Sequence, residues 1–408
     1  MVLRSIENKR VKLVGGELKK YRQRKRILNL LYRNGEMSGT EVGKKIGVSL
    51  PTALAALNDL VELKLVENKG FGESNGGRKP VLFGLRKNSL FIVACELGRY
   101  EGKMTVYNGN NQPCTPILHF NATIDDTDLV NKISKNAAEL IREYKIDEQK
   151  VHGIGLTMPG LVDEKTGVNF TIKNEKYRNV KERLENEFGK NVYVNNDARM
   201  QAYGEFVFGK AQGYKNALIA NWSWGIGLGM IINGHLFNGA SGFAGELSHI
   251  KVVEHGNLCV CGKRGCLETV SSAHVLVNAA KAEIGKGTIS QLTEKFKDRL
   301  DELVPEDIIR AAKSGDELSI SLLSKVGLAL GKGLSITIQL FNPDIIVLGG
   351  PISRARQYVL TPIQQSLNKY CLEQIYSNTR IEISDSWERA GLMGVTAMMF
   401  QKLFSINK

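Results

Sequence analysis

No uninterrupted apolar run in this 408-residue sequence approaches the roughly 18 residues of a membrane span. The opening stretch, "MVLRSIENKRVKLVGG", is too polar for a secretory signal. Membrane insertion and export are therefore not expected, and the cytoplasm is the expected compartment. Cysteine is scarce: of six residues, Cys95, Cys114 and Cys371 are scattered, so no disulfide framework is expected to hold the fold. Acidic residues run short in one region only. Residues 1–90 hold 8 Asp and Glu against 19 Lys and Arg, while the remaining 318 hold 34 against 36. The excess positive charge is N-terminal, which places a polyanion-binding surface there.

What is present describes a globular chain. A hydrophobic fraction of 42% with 24% charge at this length suits two or three packed units rather than one core.

The basic run "KKYRQRKR" (Lys19 to Arg26) opens a helical pattern. Ile27, Leu30 and Leu31 form an apolar stripe that stops at Asn34-Gly35; Ser38 with Glu41 makes a capping box for a second helix, whose buried face carries Val42 and Ile46. Gly47 supplies a turn. A third helix begins at Ser49, tolerates Pro51 in its first turn and is expected to turn Leu54, Leu57 and Val61 inward. Ser49, Thr52, Ala53 and Ala56 are then the expected groove-facing residues, small enough for a major groove about 12 Å wide. The stretch "LVENKGFGESNGGRKPVLFGL" reads as strand, glycine-rich tip and strand, a wing that places Arg78 and Lys79 for phosphate or minor-groove contact. Residues 1–85 are thus expected to form a winged helix-turn-helix domain whose partner is operator DNA.

After a short link at Arg86 to Ser89 the pattern changes. "LFIVACELG" and "GKMTVYNG" are consecutive β-rich runs, "LVNKISKNAAELIREY" has helical spacing, and "VHGIGLTMPGLV" is a strand ending in a Pro-Gly turn. Such alternation predicts an α/β body with sites at strand ends. Within it Cys259, Cys261 and Cys266 crowd into eight residues, with Gly262 and Gly265 between them to let the backbone fold thiolates around one ion; His249 or His255 would complete a tetrahedron.

The ordered series "GIGLTMPGLVDEKTG", "NNDAR", "GIGLGMIINGHLFNGASGFAGELSH", "CVCGKRGCLE" and "FNPDIIVLGG" resembles the ROK family of sugar kinases and sugar-responsive repressors. A winged helix in front of such a body is similar to the arrangement of the family's N-acetylglucosamine, glucose and xylose regulators. The resemblance implies a two-lobed, actin- and hexokinase-like (ribonuclease H-like) body: a first α/β lobe at 90–195 plus about 388–408, and a second at 196–387 holding a zinc loop and a sugar site. It implies His249 as the fourth ligand beside Cys259, Cys261 and Cys266, around a structural zinc. It also implies that Gly160, Asn196, Asp197, Glu246, His249 and Glu268 bind sugar. That set suits the chemistry, because carboxylates, an amide and an imidazole can satisfy vicinal hydroxyls that are both donors and acceptors.

Asp197 stands where the family's kinases keep a general base. The phosphate-holding parts depart from the kinase pattern. Where kinases carry Asp-x-Gly-x-Thr, this chain has Glu96, Gly98 and Tyr100; where they carry Gly-Thr-Gly, it has Ser223, Trp224 and Gly225, followed by Gly227. The stretch "SWGIGLG" reads as an inherited hairpin not shaped for ATP. The expectation is a non-catalytic repressor, a homodimer or homotetramer answering to a sugar or sugar phosphate, with no ATP cofactor. Its rival is an ATP-dependent sugar kinase with an appended DNA-binding domain.

Overall fold

A computed structural model describes residues 15–73 and 79–405. Three helices come first among the described residues: α1 (Gly15–Asn34), α2 (Gly39–Ile46) and α3 (Leu50–Glu62). The strands β1 (Met37–Ser38), β2 (Val66–Phe71) and β3 (Val81–Leu85) form an antiparallel sheet in the order β1-β3-β2. The start of α2 follows from local chemistry. Ser38 Oγ accepts the Glu41 amide at 3.2 Å and Glu41 Oε2 accepts the Ser38 amide at 2.8 Å, so two donors that the first turn leaves free are satisfied reciprocally. Gly47, at φ +72°, ends that helix in a conformation glycine adopts without strain.

Ile27, Leu28, Leu31, Val42, Ile46, Leu57, Leu60 and Leu65 close the core of this domain. Two groove-facing expectations are overturned: Ala53 is fully buried and Ala56 is 8% exposed. At the crossing of α2 and α3 Ala53 packs against Gly43, where an added Cβ would lie 3.5 Å from Ala53 Cβ, so the two helices meet closely there. Val61, expected inward, is instead 37% exposed. Arg78 lies outside the described residues, and Lys79 is exposed.

The chain divides into two compact units, residues 1–195 with 395–408 and residues 196–394. In the first, β4 (Phe91–Leu97), β5 (Glu101–Asn108), β6 (Leu118–Asn121), β7 (Val151–Met158) and β8 (Asn191–Asn196) form a sheet in the order β6-β5-β4-β7-β8. β4, β5 and β6 are an antiparallel meander, and β7 pairs parallel with β4. The helices α4 (Leu129–Glu143) and α5 (Val180–Phe188) supply Ile133, Ala137 and Leu184 to its core.

The second unit repeats this plan. Its strands β9 (Ala217–Trp222), β10 (Ile226–Ile232), β11 (His235–Leu236), β12 (Ile345–Gly349) and β13 (Arg380–Ile383) run in the order β11-β10-β9-β12-β13, again an antiparallel meander followed by parallel strands. Around it lie α6 (Asp197–Phe208), α7 (Ala273–Gly285), α8 (Pro305–Lys313), α9 (Glu317–Phe341) and α10 (Gln357–Tyr370). α9 is long and apolar enough to cross a membrane by length and composition, although Lys325 and Lys332 interrupt its apolar run. It is a core helix instead: its most apolar window is 56% buried, and Leu323, Leu330, Leu334 and Ile338 pack into the unit. The last helix, α11 (Trp387–Phe404), begins in the second unit and ends in the first.

Candidate functional site

On α3 the exposed residues are Ser49 at its N-cap and, along the helix, Leu50, Pro51, Thr52, Ala55, Asn58, Val61 and Glu62. Ser49 and Thr52 hydroxyls meet at 2.8 Å. Ala55 and Asn58, missed from sequence, follow Thr52 at three-residue steps and so share its face. α1 lies alongside, its Gln23 amide donating to the Thr52 carbonyl at 3.4 Å, and it exposes Lys19, Lys20, Arg22 and Arg26. A small polar helix face is thus flanked by exposed positive charge on a neighbouring helix, the arrangement by which a protein reads base edges while holding phosphates.

In the second unit, His249, Cys259, Cys261 and Cys266 bring one ligand atom each within 4.8 Å of one another. A loop turned at Gly262 achieves this, with the Cys259 amide bonded to the Lys263 carbonyl at 2.8 Å and the Gly262 amide to the Cys259 carbonyl at 2.9 Å. Cys261 Sγ lies 3.7 Å from Cys266 Sγ and Cys259 Sγ 3.6 Å from His249 Nδ1. Tetrahedral zinc, with Zn–S near 2.3 Å, needs ligand atoms about 3.7 Å apart, so the donor set and its spacing fit that ion. Burial pushes the Cys266 thiol well up, while the Lys263 amide holds Cys261 below its ordinary value. His255 is not among the grouped ligands.

The same histidine looks both ways: its Nε2 stands 3.9 Å from Glu246 Oε2. Asn196 caps α6 by accepting the Arg199 amide at 3.2 Å, and its Nδ2 donates to Asp197 Oδ1 at 3.0 Å. Glu268 opens a single helical turn, Glu268–Ser271, and its Oε2 would lie 3.2 Å from a Cβ on Gly225. Asn196, Asp197, Glu246, His249 and Glu268 all belong to the second unit. Gly160 belongs to the first, at φ +106°, where a side chain would collide with Thr171 Oγ1 at 2.6 Å.

The two segments that depart from the kinase phosphate pattern make contacts of their own. Glu96 is nearly buried and lies 3.3 Å from Lys103 Nζ, its cross-strand partner in the β4–β5 register, so an ammonium stands beside the carboxylate. Gly98 begins the hairpin turn, and Tyr100 beyond it is 62% exposed, with Arg99 over its ring. In "SWGIGLG" the Ser223 amide bonds the Gly225 carbonyl at 3.0 Å, closing the β9–β10 turn, and Trp224 leans on His274 at 6.3 Å. Gly227 and Gly229 are small for a packing reason: a Cβ there would lie 2.6 Å from Ala198 Cβ and 2.3 Å from Ala202 Cβ on α6. Sequence reasoning also missed Arg199 and Lys103, whose partners emerge only from strand register and loop return.

Comparison with known proteins gives two family matches. Residues 96–402 match the ROK family model, and residues 22–67 match a winged helix-turn-helix DNA-binding model. The chain is 26% identical over 382 residues to a xylose repressor of Caldicellulosiruptor bescii, covering 93% of this chain and 95% of that one. Among solved structures it is similar to a ROK family transcriptional regulator, a homologue of the E. coli MLC protein, with TM-score 0.79, 24% identity, and coverage of 94% and 97%. It is also similar to a ROK family glucokinase from Streptomyces griseus, solved with glucose and AMPPNP, with TM-score 0.67, 26% identity, and coverage of 76% of this chain and 98% of the kinase.

Proposed function

The chain belongs to the ROK family, and from that premise we propose that it is a sugar-responsive transcriptional repressor, gripping operator DNA with its winged helix under the control of a sugar or sugar phosphate bound to the ROK body. The observation that carries this reading is the joining of a winged helix-turn-helix and a ROK body in one chain. The xylose repressor spans both parts, whereas the glucokinase matches only 76% of the chain.

Thr52, Ala55 and Asn58 face the bases in this reading, with Lys79 of the wing and Lys19, Arg22 and Arg26 of α1 meeting phosphates. Asn196, Asp197, Glu246 and Glu268 hold sugar hydroxyls, with His249 able to contact both sugar and metal. Zinc, held by His249, Cys259, Cys261 and Cys266, supplies a closed tetrahedral knot; four protein ligands leave no open position for chemistry. His249 then hands that rigidity to Glu246. The protein acts in the cytoplasm as a homodimer or homotetramer on a near-palindromic operator. Sugar controls it by binding the DNA-competent and DNA-released states unequally, and a coupling of about 1–3 kcal/mol changes operator affinity about 5- to 150-fold.

The body is non-catalytic in this reading. Lys103 neutralises Glu96 where kinases place a metal-binding aspartate, Tyr100 replaces the small hydroxyl residue, and Trp224 fills the second phosphate turn. The deciding experiment is selection of bound fragments from the organism's genome, repeated with D-xylose, D-glucose and N-acetyl-D-glucosamine and their 6-phosphates or 5-phosphate. Specific fragments released or retained by one sugar support the reading; no specific fragment overturns it. A coupled assay that found ATP turnover above about 1 per second would select the kinase instead.

A further inference from the structure

Arg199 is only 3% exposed, although it follows the half-exposed Asn196 and Asp197 by one turn of α6. A buried guanidinium keeps its charge and must find acceptors. One is the carbonyl of Gly242, reached by Nη1 at 2.5 Å across 43 residues of sequence. Gly242 sits in the segment 237–246, which leaves β11 and carries Glu246 at its end. Three glycines there, Gly239, Gly242 and Gly245, have φ of +70°, +86° and +99°, so the backbone follows a course that side chains do not stabilise. Regular structure gives it little support. Its far end is pressed onto β10, where a Cβ on Gly245 would lie 2.2 Å from the Leu228 carbonyl oxygen. Its middle is tied to α6 by Arg199.

We propose that Arg199 is a positioning residue of the hydroxyl-binding site: its guanidinium holds segment 237–246, and so Glu246, in register with Asn196 and Asp197 on its own helix. The inference rests on the sugar-site reading above, because it assigns Arg199 no contact with sugar. Arginine suits the task better than lysine. Its planar fork fixes direction as well as distance, whereas an ammonium on a shorter reach would keep the charge and lose the angle.

The test uses the full-length, zinc-loaded protein and its Arg199→Met and Arg199→Lys variants. Hydrogen exchange of peptides covering 238–247 is measured without sugar, and titrations with D-xylose, D-glucose and N-acetyl-D-glucosamine are followed by calorimetry. Arg199→Met is expected to exchange at least tenfold faster in that segment, with β9, β12 and zinc content unchanged. Its affinity for whichever sugar the parent binds should fall about tenfold, the loss of one hydrogen bond from a charged donor. Arg199→Lys should recover to within about threefold. Unchanged exchange in 238–247 overturns the proposal, and so does unchanged affinity for a sugar that the parent binds. If the parent binds none of the three, the sugar reading fails for them, and the exchange measurement alone decides whether Arg199 holds the segment. An Arg199→Met protein that loses zinc or melts globally is replaced by Gly242→Ala, which disturbs the same tie from its acceptor side at φ +86° and must give the same local signature.

Discussion

The ring of Tyr32, in the last turns of α1, lies 4.9 Å from that of Phe400 near the end of α11. Phe404 stacks on Phe400 at 5.7 Å and also meets Tyr32, while Lys25 Nζ donates to the Ser405 carbonyl at 2.9 Å and Arg33 to Gln401 Oε1 at 3.0 Å. The first described helix and the last are thus fastened by an aromatic trio with a polar bond on either side. Phe400 is fully buried, so Phe400→Ala should cost about 3–5 kcal/mol, read as a lowered denaturation midpoint. Gln401→Ala, at the rim, should change it by less than 1 kcal/mol.

The buried and exposed alanines of α3 make opposite predictions. Ala53→Leu overfills a fully buried position and should destabilise by about 1–3 kcal/mol. Ala55→Leu should leave stability nearly unchanged and alter which bases are preferred in a selected operator. Replacing Arg22 or Arg26 by Ala should lower the slope of log affinity against log salt by about 1 each, without changing sequence preference.

Glu96 and Lys103 form a pair with side-chain exposures of 9% and 18%. Lys103→Met leaves the carboxylate with less compensation and should destabilise by about 3 kcal/mol, measured by urea unfolding; the double variant with Glu96→Gln should recover part of it. Micromolar ATP binding by the parent protein in a calorimeter would contradict the non-nucleotide reading of both segments.

Acid should weaken the N-terminal cap of α9. Burial raises the Asp316 carboxyl, but hydrogen bonds from the Ser319 side chain and amide, the Gln291 amide and Ser290 outweigh it, and the group is held below its ordinary value. A depressed folded value means stabilisation that is full above the unfolded pKa, near 4, and lost as pH falls through the lower folded one. Asp316→Asn should flatten the stability profile below pH 4, and Asp316→Ala should cost about 2 kcal/mol at neutral pH as the N-cap of α9 is lost.

Stripping with a chelator should remove one equivalent of zinc and lower the melting temperature of the protein. His249→Ala should abolish stoichiometric zinc in protein purified without chelator; unchanged zinc content would remove His249 from the ligand set.

Much of the N-terminal domain was legible because its signals are local. Ser38, Glu41, Gly47 and Pro51 act through backbone groups within a turn of themselves, and each sits in the structure where that chemistry puts it. The ligand cluster was legible for a related reason: three cysteines within eight residues leave the backbone few ways to keep their sulfurs apart. Ala53 and Ala56 were misread because a small residue suits a tight helix crossing as well as a groove, and the pattern carries no sign of which. Gly227 and Gly229 hid the same ambiguity, phosphate approach against the close packing of α6. Arg199 and Gly242 met only through the return of a loop, beyond the reach of periodicity. The Glu96–Lys103 pair could have been found by counting outward from the hairpin turn at Gly98.

The fastening of Tyr32 to Phe400 also orders events during synthesis. At 5–20 residues per second, a ribosome reaches Phe400 on the order of 20 to 75 s after it has passed Tyr32. Until then Tyr32 lacks its two aromatic partners on α11, so a chain cut short before Phe400 holds α1 only by the winged-helix core.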